Sequence, residues 1–215
     1  MIPDIEAFIR ENTRVSAPPH VPEIALHLAD DAVALWEMTE EELGRIGLPP
    51  PFWAFAWAGG QALARYVLDH GEIVRGKRVV DLASGSGLVA IAAMKAGAAS
   101  ALAADIDPFC APAARMNAAL NGVTIETTEA DLIGRQLDGD VLLVGDLFYD
   151  RDISARLYAW LADVEANGAA VFIGDPGRTY LPKNKLDQVA EYEVPTIKAL
   201  EDSEVKRTGV WRLKR

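Results

Sequence analysis

The stretch Val79-Val80-Asp81-Leu82-Ala83-Ser84-Gly85-Ser86-Gly87-Leu88-Val89-Ala90 constrains this chain more than any other. It runs from a β-type apolar segment through a two-glycine turn into the start of a helix. Glycine permits the tight turn and lets a ligand reach the main chain, which a Cβ would hinder. The chain around it keeps the same rhythm. Strands are predicted over Val79–Leu82, Ala101–Asp105, Thr124–Thr128, Asp140–Val144 and Ala169–Ile173, and helices over Ser86–Ala96, Pro108–Leu120 and Ile153–Glu165. This alternation predicts an α/β, Rossmann-like sheet, mostly parallel and covered by helices on both faces. Val189–Val194 and Val205–Leu213 predict an antiparallel C-terminal hairpin that brings the strand count to seven.

Pro49-Pro50-Pro51 stops any helix and divides the 215 residues into an N-terminal extension, 1–48, and a main domain, 49–215. The extension reads as a helix over Ile2–Asn12 and a strand over Glu23–Ala29, with Ile24, Leu26 and Leu28 on one side. A second helix opens at a capping box, Thr39 to Glu42, and ends near Gly44–Gly47.

Charge and composition exclude several partners. With 21 basic and 32 acidic side chains the net charge is −11, which disfavours a nucleic-acid backbone as partner because that contact needs Lys and Arg. No apolar run approaches the ~20 residues that span a bilayer. The acidic start from Met1 to Glu11 is unlike a targeting presequence, and one cysteine closes no internal disulfide, so a cytoplasmic chain is expected. His20, His27 and His70 lack metal-ligand spacing, so no metal is expected. Cys110 reads as a buried structural thiol. Lys206, Arg207, Arg212, Lys214 and Arg215 read as a solvated edge strand and tail.

Open parallel sheets bind ligands at the carboxyl ends of their strands, where the Gly85 loop belongs. Two cofactors suit it. As Gly85-Ser86-Gly87-Leu88-Val89-Ala90, followed 20 residues after Gly85 by Asp105, it satisfies the pattern for a nicotinamide dinucleotide. Read from Asp81 it is the D-x-x-S-G-S-G form used for S-adenosylmethionine. Charge separates them. A pyrophosphate is repelled by an acid beside the turn, whereas an ammonium and a sulfonium are attracted by one. Asp81, Asp105, Asp131 and Asp146 at four strand ends favour the cation, with a cofactor-free doubly wound domain as the third option.

Several segments closely resemble the electron-transfer-flavoprotein beta-subunit lysine methyltransferase family of seven-strand protein methyltransferases. They are the run Pro51-Phe52-Trp53-Ala54-Phe55-Ala56-Trp57-Ala58-Gly59-Gly60-Gln61-Ala62-Leu63, the Gly85 loop, Asp105-Ile106-Asp107-Pro108, Gly145-Asp146-Leu147-Phe148-Tyr149-Asp150 and Gly174-Asp175-Pro176-Gly177-Arg178. The resemblance runs from about Pro49 to the C-terminus. It implies an S-adenosylmethionine-dependent enzyme acting on lysines of that beta subunit, as a bacterial cytoplasmic member of a family whose eukaryotic members are mitochondrial. By position, Trp57, Gly59 and Gly60 would border the methionine end of the donor, and Asp81 with Ser84, Gly85, Ser86 and Gly87 its amino-acid moiety. Asp105 would hold the ribose, Ile106 would pack on the adenine and Asp131 would face its edge, while Asp146 to Tyr149 would line the acceptor channel. Trp53 and Phe55 are expected in the core. One departure is Ala83, where the family has glycine.

Alternatives to that implied activity are a different protein acceptor such as a ribosomal protein, a nicotinamide-dependent oxidoreductase, and an adaptor that kept only the fold. Asp146 and Tyr149 are the expected catalytic pair, capturing and aligning the amine. Lys183 and Lys185 are candidate self-methylation sites.

Overall fold

A computed structural model describes residues 4–29, 50–196 and 203–214. Its centre is a seven-stranded sheet formed by β3 (Arg78–Leu82), β4 (Ser100–Ala104), β5 (Glu126–Thr128), β6 (Val141–Gly145), β7 (Ala170–Asp175), β8 (Leu186–Pro195) and β9 (Val205–Leu213). The order across the sheet is β5-β4-β3-β6-β7-β9-β8. β3 to β7 pair in parallel, and β9 is antiparallel to both its neighbours. The α/β sheet expected from the alternation is present, with its C-terminal hairpin.

β9 corrects one expectation. Its basic residues are expected on an edge strand, but β9 lies between β7 and β8, so the edge is β8. The hairpin folds back inward because Val210 and Thr208 are fully buried, whereas β8 exposes Asp187, Gln188, Glu191 and Glu193. Arg212 reaches over the Phe172 ring, 5.2 Å from its centroid.

Alternating side chains from the strands build two cores. Val79, Ala101, Leu143 and Phe172 meet the helices α2 (Ala58–Asp69), α3 (Leu88–Lys95) and α4 (Cys110–Leu120) on one face. Val80, Leu142, Val171 and Ile173 meet Leu157, Trp160 and Leu161 of α5 (Arg151–Ala166) on the other. Strands covered on both faces read as near-continuous apolar runs, which is why they were legible. Trp53 and Phe55 are core residues as expected, Trp53 stacking on Phe109 with ring centroids 5.8 Å apart.

α2 was not anticipated. Gly59 and Gly60 in its first turn are poor helix formers, yet the missing side chain at Gly59 is what lets the helix pack on the sheet. A Cβ on Gly59 would collide with the Gly174 carbonyl, and a Cβ on Gly145 would sit 3.2 Å from the Gly60 Cα. Local capping moves other boundaries. α3 begins at Leu88 because Gly87 is left-handed, φ +79°. α5 begins at Arg151 because the Asp150 carboxylate accepts from the amides of Asp152 and Ile153, each at 2.9 Å.

Nearest the N-terminus, α1 (Ile5–Asn12) is capped by Asp4, which accepts from the Ala7 amide at 2.9 Å. It is followed by an antiparallel ribbon of β1 (Arg14–Ser16) and β2 (Leu26–Leu28). Two asparagines of α4 and its end hold the ribbon, Asn117 accepting from the His27 amide at 2.7 Å and Asn121 from the Ala25 amide at 3.0 Å. Phe8 of α1 packs edge-on against Phe109. The helix expected after Thr39 lies outside the described residues. Among the described residues, no helix is long and apolar enough to cross a membrane.

Candidate active site

A cleft of about 440 Å³ opens at the carboxyl ends of β3, β4 and β6, bounded on one side by α5. That size and position are typical of a small-molecule site in an open α/β sheet. Trp57, Gly85, Asp105, Ile106, Asp131, Asp146 and Tyr149 line it, so seven of the residues expected at the site are gathered there. Asp81, Ser84, Ser86, Gly87, Gly59 and Gly60 are not among its lining residues.

Four of these hold the loop and the start of α3. Asp81, 1% exposed, accepts from the Ala90 amide at 2.9 Å, capping α3 from the neighbouring strand where Gly87 has no side chain to do so. Burial pushes its carboxyl up to about 8. The Ser84 carbonyl accepts from the Gly87 amide, and the Ser86 carbonyl accepts from the buried Asn117 amide. A Cβ on Gly87 would lie 2.8 Å from that of Ala114, so this glycine seats α3 against α4. Ala83 itself is left-handed, φ +54°, a conformation glycine adopts without strain.

At the far end of the loop, Asp105 is doubly anchored. Its carboxylate accepts from the Gly85 amide at 2.9 Å and the Asp107 amide at 3.0 Å. Ile106 beside it is 69% exposed, an apolar side chain left at the cleft surface. Asp107, which sequence reasoning did not assign, also lines the cleft and accepts from the Phe109 amide at 2.8 Å. Burial raises its carboxyl to about 6, helped by the charges of Asp105 and Glu129. Cys110 is a buried thiol pushed far up by burial, which fits the structural role expected.

The opposite end is built by β6, β7 and α2. Asp146 follows β6 in a left-handed conformation, φ +52°. One oxygen accepts from Arg178 Nε at 2.8 Å and Nη2 at 2.7 Å, and the other accepts from the Gly59 amide. A carboxylate there meets the positive end of the α2 dipole. Tyr149, half-exposed, lies 6.4 Å from the Phe52 ring, and burial together with Asp105 and Asp150 raises its phenol. Trp57 lies 5.7 Å from Phe52 and donates from its indole to the Phe52 carbonyl at 3.0 Å. Lys185 stacks on Tyr158 instead of facing the cleft.

The expected lining of four acids is corrected here. Asp81 is buried behind the loop, Asp146 is paired with Arg178, and Asp131 is paired with Arg156 of α5 at 3.2 Å. Arg156 and Arg178 both line the cleft, so its walls carry both signs. Arg178 closes the Gly174-Asp175-Pro176-Gly177-Arg178 motif, and its position after β7 was the available signal. Arg156 had none, because only the tertiary fold sets it opposite Asp131.

The residues fit S-adenosylmethionine. Asp105 is held where ribose hydroxyls would reach it, and Leu132, Ile133 and Ile106 provide apolar surface beside it. They fit a dinucleotide poorly. The Gly85 and Ala90 amides already donate to the carboxyl groups of Asp105 and Asp81, and an Asp105 carboxylate at the loop opposes a pyrophosphate.

Residues 61–144 match the family described as ribosomal protein L11 methyltransferase (PrmA). Among solved structures, ribosomal protein L11 methylase from Lactobacillus delbrueckii subsp. bulgaricus superposes with a TM-score of 0.51 at 24% identity, covering 74% of this chain and 81% of that one. Magnesium protoporphyrin IX methyltransferase from Synechocystis PCC 6803, solved with bound SAM, superposes with a TM-score of 0.52 at 15% identity, covering 72% and 78%. These likenesses concern the fold. The electron transfer flavoprotein beta subunit lysine methyltransferase of Danio rerio is 37% identical over 217 residues, covering 97% of this chain and 83% of the relative. Its human counterpart is 37% identical over 220 residues, covering 97% and 82%. At that identity over nearly its whole length, the chain belongs to the electron transfer flavoprotein beta subunit lysine methyltransferase family.

Proposed function

We propose that this protein transfers a methyl group from S-adenosylmethionine to lysine on the beta subunit of electron transfer flavoprotein. The observation that carries the proposal is the two-ended cleft: Asp105 fixed by the Gly85 and Asp107 amides at one end, Asp146 and Tyr149 at the other.

When bound, S-adenosylmethionine supplies a methyl group on a positively charged sulfur. Asp105 would accept from the ribose hydroxyls, Ile106 would pack on the adenine, Asp131 would face its edge, and Trp57 would border the methionine end. Asp81, Ser84, Gly85, Ser86 and Gly87 hold the loop, with the Gly85 main chain at its surface. Gly59 seats α2 against Gly174 so that its amide reaches the Asp146 carboxylate, and Gly60 follows it in the same turn.

The lysine must arrive neutral. Its free pKa of about 10.4 makes neutrality at pH 7 cost about 4–5 kcal/mol. A unit positive charge about 4 Å away opposes the ammonium by about 4 kcal/mol at an effective dielectric of ~20, so proton loss to water precedes transfer and no strong base is needed. The amine lone pair then forms the N–C bond as the C–S bonding pair returns to sulfur. Asp146 and Tyr149 align the amine, so orientation supplies most of the acceleration. The lone cysteine fits a reducing compartment, and we place the protein in the cytoplasm.

Incubation with labelled donor and purified flavoprotein, followed by mass spectrometry of the beta subunit, tests this directly. Lysine methylation of that subunit is expected, and its absence would refute the assignment. A second acceptor, a ribosomal protein, is favoured by the match over residues 61–144 and by the Deinococcus radiodurans ribosomal protein L11 methyltransferase, 38% identical over 168 residues. Adding ribosomal protein L11 as a parallel acceptor decides between the two.

A further inference from the structure

Asp146 presents a chemical difficulty at the acceptor end. A bare carboxylate beside an amine stabilises the ammonium form, commonly by one to three pKa units, and so reduces the neutral fraction about 10- to 1000-fold near neutral pH. The structure contains a group placed to counter this.

Asp175 ends β7 fully buried, and one of its oxygens accepts from the amides of Gly177 at 2.6 Å and Arg178 at 2.7 Å. Gly177 is left-handed, φ +90°, so the chain turns sharply and delivers the next side chain back toward β6. Two N–H groups of Arg178 converge on a single oxygen of Asp146. The guanidinium carbon also lies 6.0 Å from the Trp57 ring centroid. The Arg178 side chain is 21% exposed and that of Asp146 9%, so the pair is screened far less than a surface ion pair. The second Asp146 oxygen is held by the Gly59 amide, so the carboxylate cannot rotate without losing a bond on each side.

We propose that Arg178 is a positioning residue that offsets the charge of Asp146, so that the acceptor amine meets an oriented carboxylate without being held as ammonium. This rests on the lysine methyl transfer proposed above.

The test compares the wild type with Arg178→Gln, Arg178→Lys, Asp146→Asn and the double variant Arg178→Gln/Asp146→Asn. Each is assayed for kcat and KM toward the protein acceptor, for donor binding by calorimetry, and for its urea midpoint. Arg178→Gln is expected to lower kcat about 10- to 100-fold without raising the acceptor KM. Arg178→Lys is expected to restore part of the loss. The double variant is expected to turn over faster than Arg178→Gln, because it no longer carries the uncompensated carboxylate. A raised KM with unchanged kcat, or a double variant slowed by the product of the two single losses, would overturn the proposal. If Arg178→Gln does not fold, Arg178→Lys against Arg178→Lys/Asp146→Asn gives the same comparison. A wild type that methylates no lysine on any acceptor defeats the proposed function itself, whereas an active wild type with the wrong variant pattern defeats only the role of Arg178.

Discussion

Asp81 sits in the most constrained loop of the chain, yet its work is done away from the cleft. Burial raises its carboxyl to about 8, against the hydrogen bond from Ala90, while the charge of Asp105 adds to the rise. An acid whose folded pKa lies above its unfolded value binds more protons in the native state between those two values. Native stability therefore falls as pH rises from about 4 to about 8, by at most ~1.4 kcal/mol per pH unit from this group. Asp107, raised to about 6, adds to the fall in the lower part of that window. Asp81→Asn keeps an acceptor for the Ala90 amide and removes the titration. Urea unfolding at pH 5 and pH 8 is expected to show a smaller loss for the variant than for the wild type, and parallel losses would contradict it. A strand-end acid in the sequence indicates a functional loop but not the direction of its side chain. Asp81 and Asp105 look alike as letters, and one turns to a helix while the other turns to the cleft.

The strands and α3 to α5 were legible because their patterns are local. A run such as Val141-Leu142-Leu143-Val144 is buried on both faces, and its residues declare that without help from distant chain. α2 was not legible, because its first turn contradicts helix propensity for the sake of a contact with β6 and β7. Gly59→Ala is expected to destabilise the protein by roughly 1–3 kcal/mol through overpacking against Gly174, and to displace the Asp146 carboxylate that caps the helix. Denaturant unfolding measures the first effect and methylation kinetics the second. A variant of wild-type stability would mean that α2 can lift off the sheet without loss. The inserted position of β9 was equally hidden, since nothing local to Val205–Leu213 specifies which strands flank it.

For the whole molecule, the choice of cofactor turns on which amides remain available to an anion. The Gly85 and Ala90 amides already donate to carboxyl groups and Asp105 lines the cleft beside them, so calorimetry is expected to detect binding of S-adenosylmethionine and none of NAD. The reverse result would undo the assignment. Family, fold class and the glycine loop were determined by the sequence itself, because apolar alternation, turn glycines and contiguous motifs act over a few residues. The chemistry of the cleft was decided by the tertiary structure. Asp146 is 32 residues from Arg178 and 87 from Gly59, and Asp131 is 25 residues from Arg156. Whether an acid is paired, buried or presented to a ligand depends on which strand ends and helices the fold brings beside it, and the linear order of residues carries no such distance.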